Sequence, residues 1–294
     1  MNRRQFSQLI AAAGVAQVLP RSQAQAPSSS QGFRFSVQLW TIEKQAPFDR
    51  CLEIVAAAGY EGVELIGEFR KWSADETRRI MAKMSSLHLH FDMISGVKSG
   101  FADPNGTKDF LADLKTQFEF AKALQSPQIN LKSGPSIDGL SPEAQYAASV
   151  ENLKRAADLA AANNIQFVLE PIDPIENPTM YMKSVSQGFA IVREVASPHV
   201  KVLYDFYHEQ RAAGNLIEKL EQNIDLVGLV HIADVPNRNQ PGTGEIDYNN
   251  IYKKLAQLKY DKFIAMEFFP TGDLLTILKA ARLQALQAQA SITK

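Results

Sequence analysis

The sequence predicts a single α/β domain, a closed (β/α)8 barrel of the TIM type, preceded by a cleavable export signal. Short apolar runs rich in β-branched and aromatic residues alternate with longer stretches of helical period, as in repeated βα units. Eight such pairs fit in the about 265 residues after the N-terminal segment, the usual size of a closed barrel. A doubly wound open sheet is the rival fold, but the sequence contains neither its Gly-x-Gly-x-x-Gly motif nor a P-loop.

The first 26 residues are typical of a twin-arginine signal peptide. Arg3 and Arg4 form a basic start, and Leu9 to Leu19 is an uncharged apolar run that is short for a permanent membrane anchor. An N-terminal anchor that remains uncut is the alternative interpretation.

Cleavage would divide the chain into three segments. The small residues Ala24 and Ala26 offer two cleavage positions, residues 27–32 form a polar linker, and residues 33–294 form the predicted barrel. We therefore expect the twin-arginine export machinery to be a partner. The mature protein is then periplasmic or otherwise exported, without stable insertion in a membrane.

Charge and cysteine content narrow the class of protein further. The formal net charge is −1 and no basic run occurs, which argues against nucleic acid or an anionic membrane as a partner. The single cysteine, Cys51, lies in a helical apolar pattern and is expected to be a small buried hydrophobe. A chain that folds without disulfides before export can carry a metal acquired in the cytoplasm.

The strands and helices follow from the period of the apolar residues. The predicted strands are Phe35 to Trp40, Gly62 to Ile66, Leu89 to Ile94, Gln128 to Lys132, Gln166 to Ile172, Lys201 to Phe206, Val227 to Ala233 and Phe263 to Phe269. The predicted helices include Phe48 to Ala58, Ala74 to Ser86, Lys108 to Leu124, Pro142 to Asn163, Ser186 to Val195, Asn249 to Leu258 and Leu274 to Ala290. Ser73 with Glu76, and Ser141 before Pro142, are helix start signals.

The last four strands each end in a residue that can bind a metal, namely Glu170, Asp205, His231 and Glu267. Catalytic residues of a closed βα barrel come from the carboxyl ends of different strands. A single acid at a strand end more often caps a helix or pairs with a lysine. Three carboxylates meeting in one barrel mouth would repel one another unless a cation neutralised them, so the four together predict a metal site.

The predicted ligands also limit the identity of the ion. Three hard oxygen donors and one imidazole favour Mn²⁺ or Mg²⁺, while Co²⁺ and Zn²⁺ are compatible with the same set.

Five motifs carry a resemblance to a known family. They are Leu-Glu-Pro-Ile-Asp at 169–173, Tyr-Asp-Phe-Tyr-His at 204–208, His-Ile-Ala-Asp-Val-Pro-Asn-Arg at 231–238, Pro-Gly-Thr-Gly-Glu-Ile-Asp-Tyr at 241–248 and Met-Glu-Phe at 266–268. The chain resembles the xylose isomerase-like sugar isomerases and epimerases, and among them the hydroxypyruvate isomerases. The resemblance covers nearly the whole predicted barrel and is most specific from residue 231 to residue 248.

The resemblance implies roles for individual residues. It implies that Glu170 and Glu267 are metal ligands and also the acid/base pair, and that Asp205 and His231 complete the metal site. His208, Arg238 and Glu176 are the residues implied to contact the oxygens of the substrate. Hydroxypyruvate isomerases often carry Gln at the position of His231, where ketose epimerases carry His, so the substrate stays open.

The chemistry expected of such a site is removal of a proton next to a carbonyl. A free carboxylate deprotonates such a weak carbon acid slowly, whereas a metal on the substrate oxygens stabilises the enediolate. Return of the proton to the adjacent carbon gives isomerisation, for example of hydroxypyruvate to tartronate semialdehyde. Return to the same carbon from the opposite face gives epimerisation, for example of a ketose.

Other polar residues near strand ends have ordinary structural explanations as well. His208 can be a structural hydrogen-bonding residue, and Arg238 a solvated charge. Glu64 and Lys132 are expected to form ion pairs at the rim of the core, although Lys132 could also bind an anionic substrate. Gly242 and Gly244 are expected to shape a loop.

Two other classes of function remain as alternatives. A metal-dependent endonuclease of the same fold is disfavoured, because the chain has five histidines and no basic groove is expected from its charge. A sugar-binding barrel without catalytic activity is the third hypothesis. The sequence leaves the oligomeric state open, a homo-oligomer included.

Overall fold

The computed structural model describes residues 32–292. The predicted signal peptide with its cleavage positions Ala24 and Ala26, and all but the last residue of the linker, lie outside the described residues. They stay predictions. Among residues 32–292, no helix combines the length and the apolar character that crossing a bilayer requires.

Eight parallel strands close into a barrel in the order of the sequence, with the first strand paired to the eighth. This confirms the predicted (β/α)8 fold. The strands are β1 Arg34–Gln38, β2 Gly62–Ile66, β3 His90–Ser95, β4 Gln128–Leu131, β5 Gln166–Leu169, β6 Val200–Asp205, β7 Val227–Ile232 and β8 Phe263–Met266.

Helices follow the strands in sequence, and the last helix comes after β8. They are α1 Phe48–Ala57, α2 Ala74–Ser86, α3 Thr107–Leu124, α4 Pro142–Asn163, α5 Val185–Val195, α6 Phe206–Ala212, α7 Leu216–Asn223, α8 Tyr248–Gln257 and α9 Leu274–Ala290. The hydroxyl of Ser73 accepts a hydrogen bond from the Glu76 amide at the start of α2, and Ser141 caps α4 in the same way, as predicted. Cys51 is fully buried in α1.

Two layers of apolar side chains hold the barrel together. The outer layer lies between strands and helices and includes large buried rings such as Phe91, Phe110 and Phe167. A smaller cluster of buried side chains comes from alternate positions of the strands, with Met93, Val168, Leu203, Leu229, Phe263 and Ala265 as members. In a closed barrel, such positions point towards the barrel axis, so the barrel is packed rather than hollow.

Several strands end earlier than the sequence predicts. Strand β5 stops at Leu169 instead of Ile172, because Pro171 has no amide hydrogen to donate to the ladder. Strand β6 stops at Asp205, and Phe206 begins a helix instead of ending the strand. Strands β1, β4, β7 and β8 also end one to three residues early, and β3 begins one residue late. These shorter strands leave residues such as Lys132, Glu170 and Glu267 at the rim.

The segment between β6 and β7 was the least predictable. No helix was predicted in this segment, whereas the structure has α6 and α7 there. Asp205 explains the abrupt change, because its carboxylate accepts hydrogen bonds from the amides of Tyr207 (2.8 Å) and His208 (3.1 Å) and so starts α6. A strand that turns directly into a seven-residue helix leaves little periodic signal to detect.

Candidate active site

Four residues from four consecutive strands meet at the carboxyl end of the barrel. Glu170, Asp205, His231 and Glu267 each offer a ligand atom, and these atoms lie within 4.8 Å of one another. All four residues are buried. We call them the ligand group. The structure thus brings together the same four residues that the sequence singled out.

The barrel ladder fixes where these residues lie. Glu170 follows β5 directly, and its amide donates to the carbonyl of Leu131 at 3.1 Å. Glu267 follows β8 in the same way, with its amide 3.0 Å from the carbonyl of Ile232. Asp205 and His231 are paired in the register of β6 and β7. Neighbouring parallel strands therefore deliver the four side chains to one rim.

Three donors surround the carboxylate of Glu267. Trp40 Nε1 donates to Oε1 at 3.1 Å, Arg238 donates to Oε2 at 2.7 Å, and His231 Nδ1 lies 2.9 Å from Oε2. Burial raises the pKa of Glu267, but Arg238 and His231 outweigh burial and hold this pKa well below its usual range. Glu267 is therefore ionised in the folded protein.

The carboxylate of Glu170 has fewer close partners. The Asn130 amide donates to Oε2 at 2.8 Å, and Lys132 Nζ lies 3.6 Å from the same oxygen. Burial raises the pKa of Glu170, yet Lys132 and the two histidines His208 and His231 bring it below the ordinary value. Glu170 is thus also ionised, with less hydrogen bonding than Glu267.

His231 lies between two carboxylates. Its Nδ1 faces Glu267, and its Nε2 lies 3.0 Å from Oε2 of Glu64, which is fully buried on β2. Burial lowers the pKa of His231, but Glu64 and Glu267 raise it well above the ordinary value. Glu64 was predicted to form an ion pair at the rim of the core, and the structure shows that its partner is His231 of the ligand group.

A second cluster lies beside the ligand group. Asp173, Glu176 and His208 also offer atoms within 4.8 Å of one another. Two guanidinium groups already face these acids: Arg238 donates to both oxygens of Glu176 at 3.1 and 3.0 Å, and Arg211 lies 3.4 Å from Asp173. Because arginines already neutralise its charge, this second cluster has less need of a cation than the ligand group.

His208 connects this second cluster to the ligand group. Its Nδ1 lies 2.7 Å from Oδ2 of Asp173, and its Nε2 points to Asp205 at 3.7 Å and Glu170 at 4.0 Å. Asp173 is itself fixed by the amides of Ile175 and Glu176, both at 2.9 Å. Asp173 therefore orients the imidazole towards the ligand group, a role that no sequence signal suggested.

The loop after β7 places Arg238 in the site. Asp234 is buried at its start and accepts hydrogen bonds from the amides of Gly242, Thr243, Gly244 and Ile246. A Cβ at Gly244 would collide with the backbone of Val235, so this position requires glycine. The prediction that Gly244 shapes the loop is confirmed, but Asp234, the residue that organises the loop, was missed.

Arg238 adopts an unusual backbone conformation at the tip of this loop. Its φ of +56° is uncommon for a residue other than glycine. The Phe269 amide donates to its carbonyl at 2.7 Å and holds the conformation in place. This strain is consistent with a functional position, and it directs the guanidinium between Glu176 and Glu267.

The ligand group fits a divalent cation. It provides three carboxylates and one imidazole, converging and shielded from solvent, which is a donor set that Mn²⁺, Mg²⁺, Co²⁺ and Zn²⁺ accept. Burial raises the pKa of Asp205, and the neighbouring Glu267 raises it further. A dication would relieve this accumulation of negative charge.

Comparison with known proteins places this site in context. The family model described as xylose isomerase-like TIM barrel matches residues 52–290. Hydroxypyruvate isomerase of Escherichia coli strain K12 is 29% identical over 81% of this chain and 93% of its own length. The 2-oxo-tetronate isomerase of Haemophilus influenzae is 28% identical over 83% of this chain and 96% of its own.

A solved structure shows the same architecture. The crystal structure of AP endonuclease, family 2 from Brucella melitensis superimposes with a TM-score of 0.77 at 25% identity. The match covers 84% of this chain and 97% of that one. The barrel is therefore shared by proteins whose names describe different chemistry.

Proposed function

The chain belongs to the xylose isomerase-like TIM barrel family, and we propose that it isomerises a small hydroxycarbonyl compound with the help of a divalent metal. The names of its relatives support an isomerase. Conversion of hydroxypyruvate to tartronate semialdehyde is the first reaction to test. One observation carries the proposal: two ionised glutamates, Glu170 and Glu267, lie in the same buried ligand group.

Glu170, Asp205, His231 and Glu267 are the proposed ligands, with Mn²⁺ or Mg²⁺ as the favoured ion. When bound, such an ion supplies Lewis-acid polarisation of the carbonyl and stabilises the negative charge that develops during proton transfer. The protein's own side chains supply the remaining parts of the reaction.

The proton transfers are assigned to the two glutamates. For hydroxypyruvate, one glutamate takes a proton from C3, and the hydroxyl proton moves from O3 to O2. Because both glutamates are ionised at the start, C2 receives the proton that was taken from C3, either directly from the first glutamate or passed on through the second, and both glutamates are ionised again at the end. Atoms and charge balance without an external reactant. Glu267 is held by three donors, whereas Glu170 has one hydrogen bond and two longer ion pairs. Glu170 is therefore the proposed proton acceptor in this direction.

His208, Arg238 and Glu176 are proposed to bind the oxygens of the substrate. His208 Nε2 points towards Asp205 and Glu170, while Arg238 and Glu176 hold each other at the edge of the site. Their closeness to the ligand group supports this role. An arginine fixed by two acids is also a rigid donor, which favours precise orientation.

Epimerisation of a ketose is the second candidate reaction. A specific residue favours it, since the resemblance implies that ketose epimerases carry His where hydroxypyruvate isomerases often carry Gln, and this chain has His231. The same two glutamates serve both reactions, because the outcome depends on which carbon receives the proton. The products formed from hydroxypyruvate and from a ketose decide between them.

A phosphodiesterase of the endonuclease type is less compatible with the site, although one structural relative bears that name. Multi-metal hydrolysis requires ligands for further ions, and the adjacent acids Asp173 and Glu176 are instead matched by Arg211 and Arg238. The near-neutral net charge also provides little attraction for a polyanion. A bound-metal stoichiometry of one per chain would support the isomerase, and three would contradict it.

Export through the twin-arginine pathway to the periplasm is part of the proposal, as is a substrate scavenged outside the cytoplasm. Arg3, Arg4 and the apolar run that follows support it. Cell fractionation with N-terminal sequencing is the test. A mature protein that begins after Ala24 or Ala26 is expected, and a soluble cytoplasmic protein with its first residues intact would contradict export.

Metal dependence and proton exchange test the reaction itself. Chelation should abolish turnover of hydroxypyruvate, and Mn²⁺ or Mg²⁺ should restore it. In deuterated water, deuterium should enter the carbon next to the carbonyl. Full activity after complete removal of metal, or turnover without any solvent exchange and without internal proton transfer, would refute the mechanism.

A further inference from the structure

Lys132 is the one basic residue of the site whose role the proposed function does not include. It follows β4 directly, two residues after Asn130, so both side chains fall on the same side of the strand. Asn130 is buried and donates to Glu170, and Lys132 Nζ lies 3.6 Å from the same oxygen of Glu170. The ammonium group therefore lies at the mouth of the barrel beside the ligand group.

The ammonium is less engaged than the arginines near it. Arg238 contacts Glu176 and Glu267 at hydrogen-bond distance, and Arg211 donates to the Tyr207 hydroxyl and lies beside Asp173. Within residues 32–292, Lys132 has a single ion pair that is too long for a strong hydrogen bond, and its side chain is 42% exposed. Its three N–H groups are thus largely available to a ligand.

The charge of the site requires such a cation if the substrate is an anion. The three carboxylates of the ligand group exceed the charge of a divalent ion by one. Arg238 is shared between Glu176 and Glu267, which leaves it little charge to offer. Without a further positive group, a carboxylate approaching Glu170 would be repelled. Lys132 provides that group.

We propose that Lys132 binds the carboxylate of the substrate, and that the site therefore selects hydroxy-2-oxo acids over neutral ketoses. This inference rests on the proposed function and names its substrate class. Because Lys132 contacts Glu170 directly, the carboxylate must be attached close to the carbon that exchanges its proton, as it is in a 2-oxo acid. Acids with a distant carboxylate do not fit this arrangement.

The test uses two substrates that differ in one group, which is charged in one of them and neutral in the other. Hydroxypyruvate and dihydroxyacetone share the hydroxyketone and differ in having a carboxylate or a hydroxymethyl group beside it. In the metal-loaded full protein, Lys132→Met should raise KM for hydroxypyruvate by about 10- to 100-fold. It should change kcat/KM for dihydroxyacetone by less than about threefold. Lys132→Arg should retain most of the preference for the acid.

A matched control is Lys98→Met, which removes an exposed lysine from the loop after β3 at the same end of the barrel. It should leave both substrates unaffected. An equal loss on both substrates in Lys132→Met would show that Lys132 acts only on Glu170, and would overturn the inference while the isomerase proposal stands. An unchanged preference for the acid would overturn it as well.

A binding measurement separates this inference from the proposed function. Calorimetry should show that the Mn²⁺-loaded protein binds D-glycerate more tightly than glycerol, and that Lys132→Met weakens D-glycerate binding by about 10-fold or more. If neither substrate is turned over but this binding result holds, the proposed isomerisation is contradicted and the carboxylate subsite is supported. Failure of the protein to prefer D-glycerate would overturn the subsite.

Discussion

The two ends of the barrel contain buried acids in opposite situations. At the carboxyl end, Glu170 and Glu267 are surrounded by donors from neighbouring strands and loops. At the amino end, Asp92 is buried beside a cavity of about 520 Å³, and neither of its oxygens has a hydrogen bond within residues 32–292. A cavity alone therefore does not identify the candidate site. The candidate site is distinguished by acids that stay ionised because donors from several strands and loops surround them.

The acids at the two ends also differ in the direction in which the protein shifts their pKa values. Burial raises the pKa of Asp92 well above its ordinary value, and the nearby Glu64 raises it further, so the carboxyl group is neutral. Glu267, equally buried, has a pKa well below the ordinary value because Arg238 and His231 outweigh burial. Two equally buried carboxyl groups of one barrel therefore have pKa values shifted in opposite directions.

The largest expected effect comes from removing the charge of a mouth glutamate. Glu170→Gln and Glu267→Gln should each reduce kcat by about 10²- to 10⁴-fold, since each removes a residue proposed to transfer a proton and to bind the metal. Turnover and solvent deuterium exchange are the measurements. Glu245→Gln, an exposed acid on the loop after β7, is the matched control and should retain activity.

The same two variants distinguish an enzyme from a protein that only binds a sugar. A sugar-binding barrel without catalysis would bind its ligand as well after either substitution as before. Near-complete activity in Glu170→Gln or Glu267→Gln, with normal circular dichroism and metal content, would contradict the proposed catalytic role of these residues at the carboxyl end of the barrel.

An intermediate effect is expected at Glu64, which lies between the two ends. Its contact with His231 Nε2 should fix the orientation of the ring, so Glu64→Gln should weaken Mn²⁺ binding by about 10- to 100-fold. Competition with a fluorescent chelator measures the affinity independently of turnover. Asp92→Asn changes the neighbouring buried acid and should leave the affinity unchanged. Equal losses in both variants would indicate general damage to the barrel interior.

The smallest effect is expected at Asp92 itself. Its pKa in the folded protein is raised above the unfolded value, so the unfolded chain releases this proton at lower pH than the folded chain does. Stability is therefore lost as pH rises above the unfolded pKa. Asp92→Asn removes this loss and should increase the free energy of unfolding at pH 8 by about 1 kcal/mol, with less gain near pH 4.

Urea denaturation at several pH values measures that gain. Asp261→Asn, the same chemical change at an exposed position lining the same cavity, is the control and should have no pH-dependent effect. A gain for Asp92→Asn that is independent of pH would contradict the assignment of a neutral carboxyl group.

The sequence predicted the fold and the ligand group because both depend on local patterns repeated along the chain. Apolar runs followed by Glu170, Asp205, His231 or Glu267 can be recognised one at a time, and barrel closure then guarantees that they share a rim. The family resemblance added His208, Arg238 and Glu176, which the structure places beside that group. The catalytic and substrate-binding roles of all these residues stay predictions.

The supporting residues could not be predicted in the same way. Glu64 is important because of His231, 167 residues away, and Asp173 because of His208, 35 residues away. Asp234 is important because it binds several backbone amides in one loop. No local pattern distinguishes them from ordinary surface acids. Helix α6 was missed because its N-cap is Asp205, a residue already predicted to be a metal ligand at the end of a strand.

The pairing of β1 with β8 has a consequence for assembly. Trp40, just beyond the first strand, donates to Glu267, just beyond the last, so the environment of this proposed metal ligand exists only once the barrel has closed. In a refolding experiment, the time at which a bound ion becomes resistant to removal by a chelator would therefore report when the barrel closes. Circular dichroism, which follows strands and helices as they form, would reach its plateau earlier.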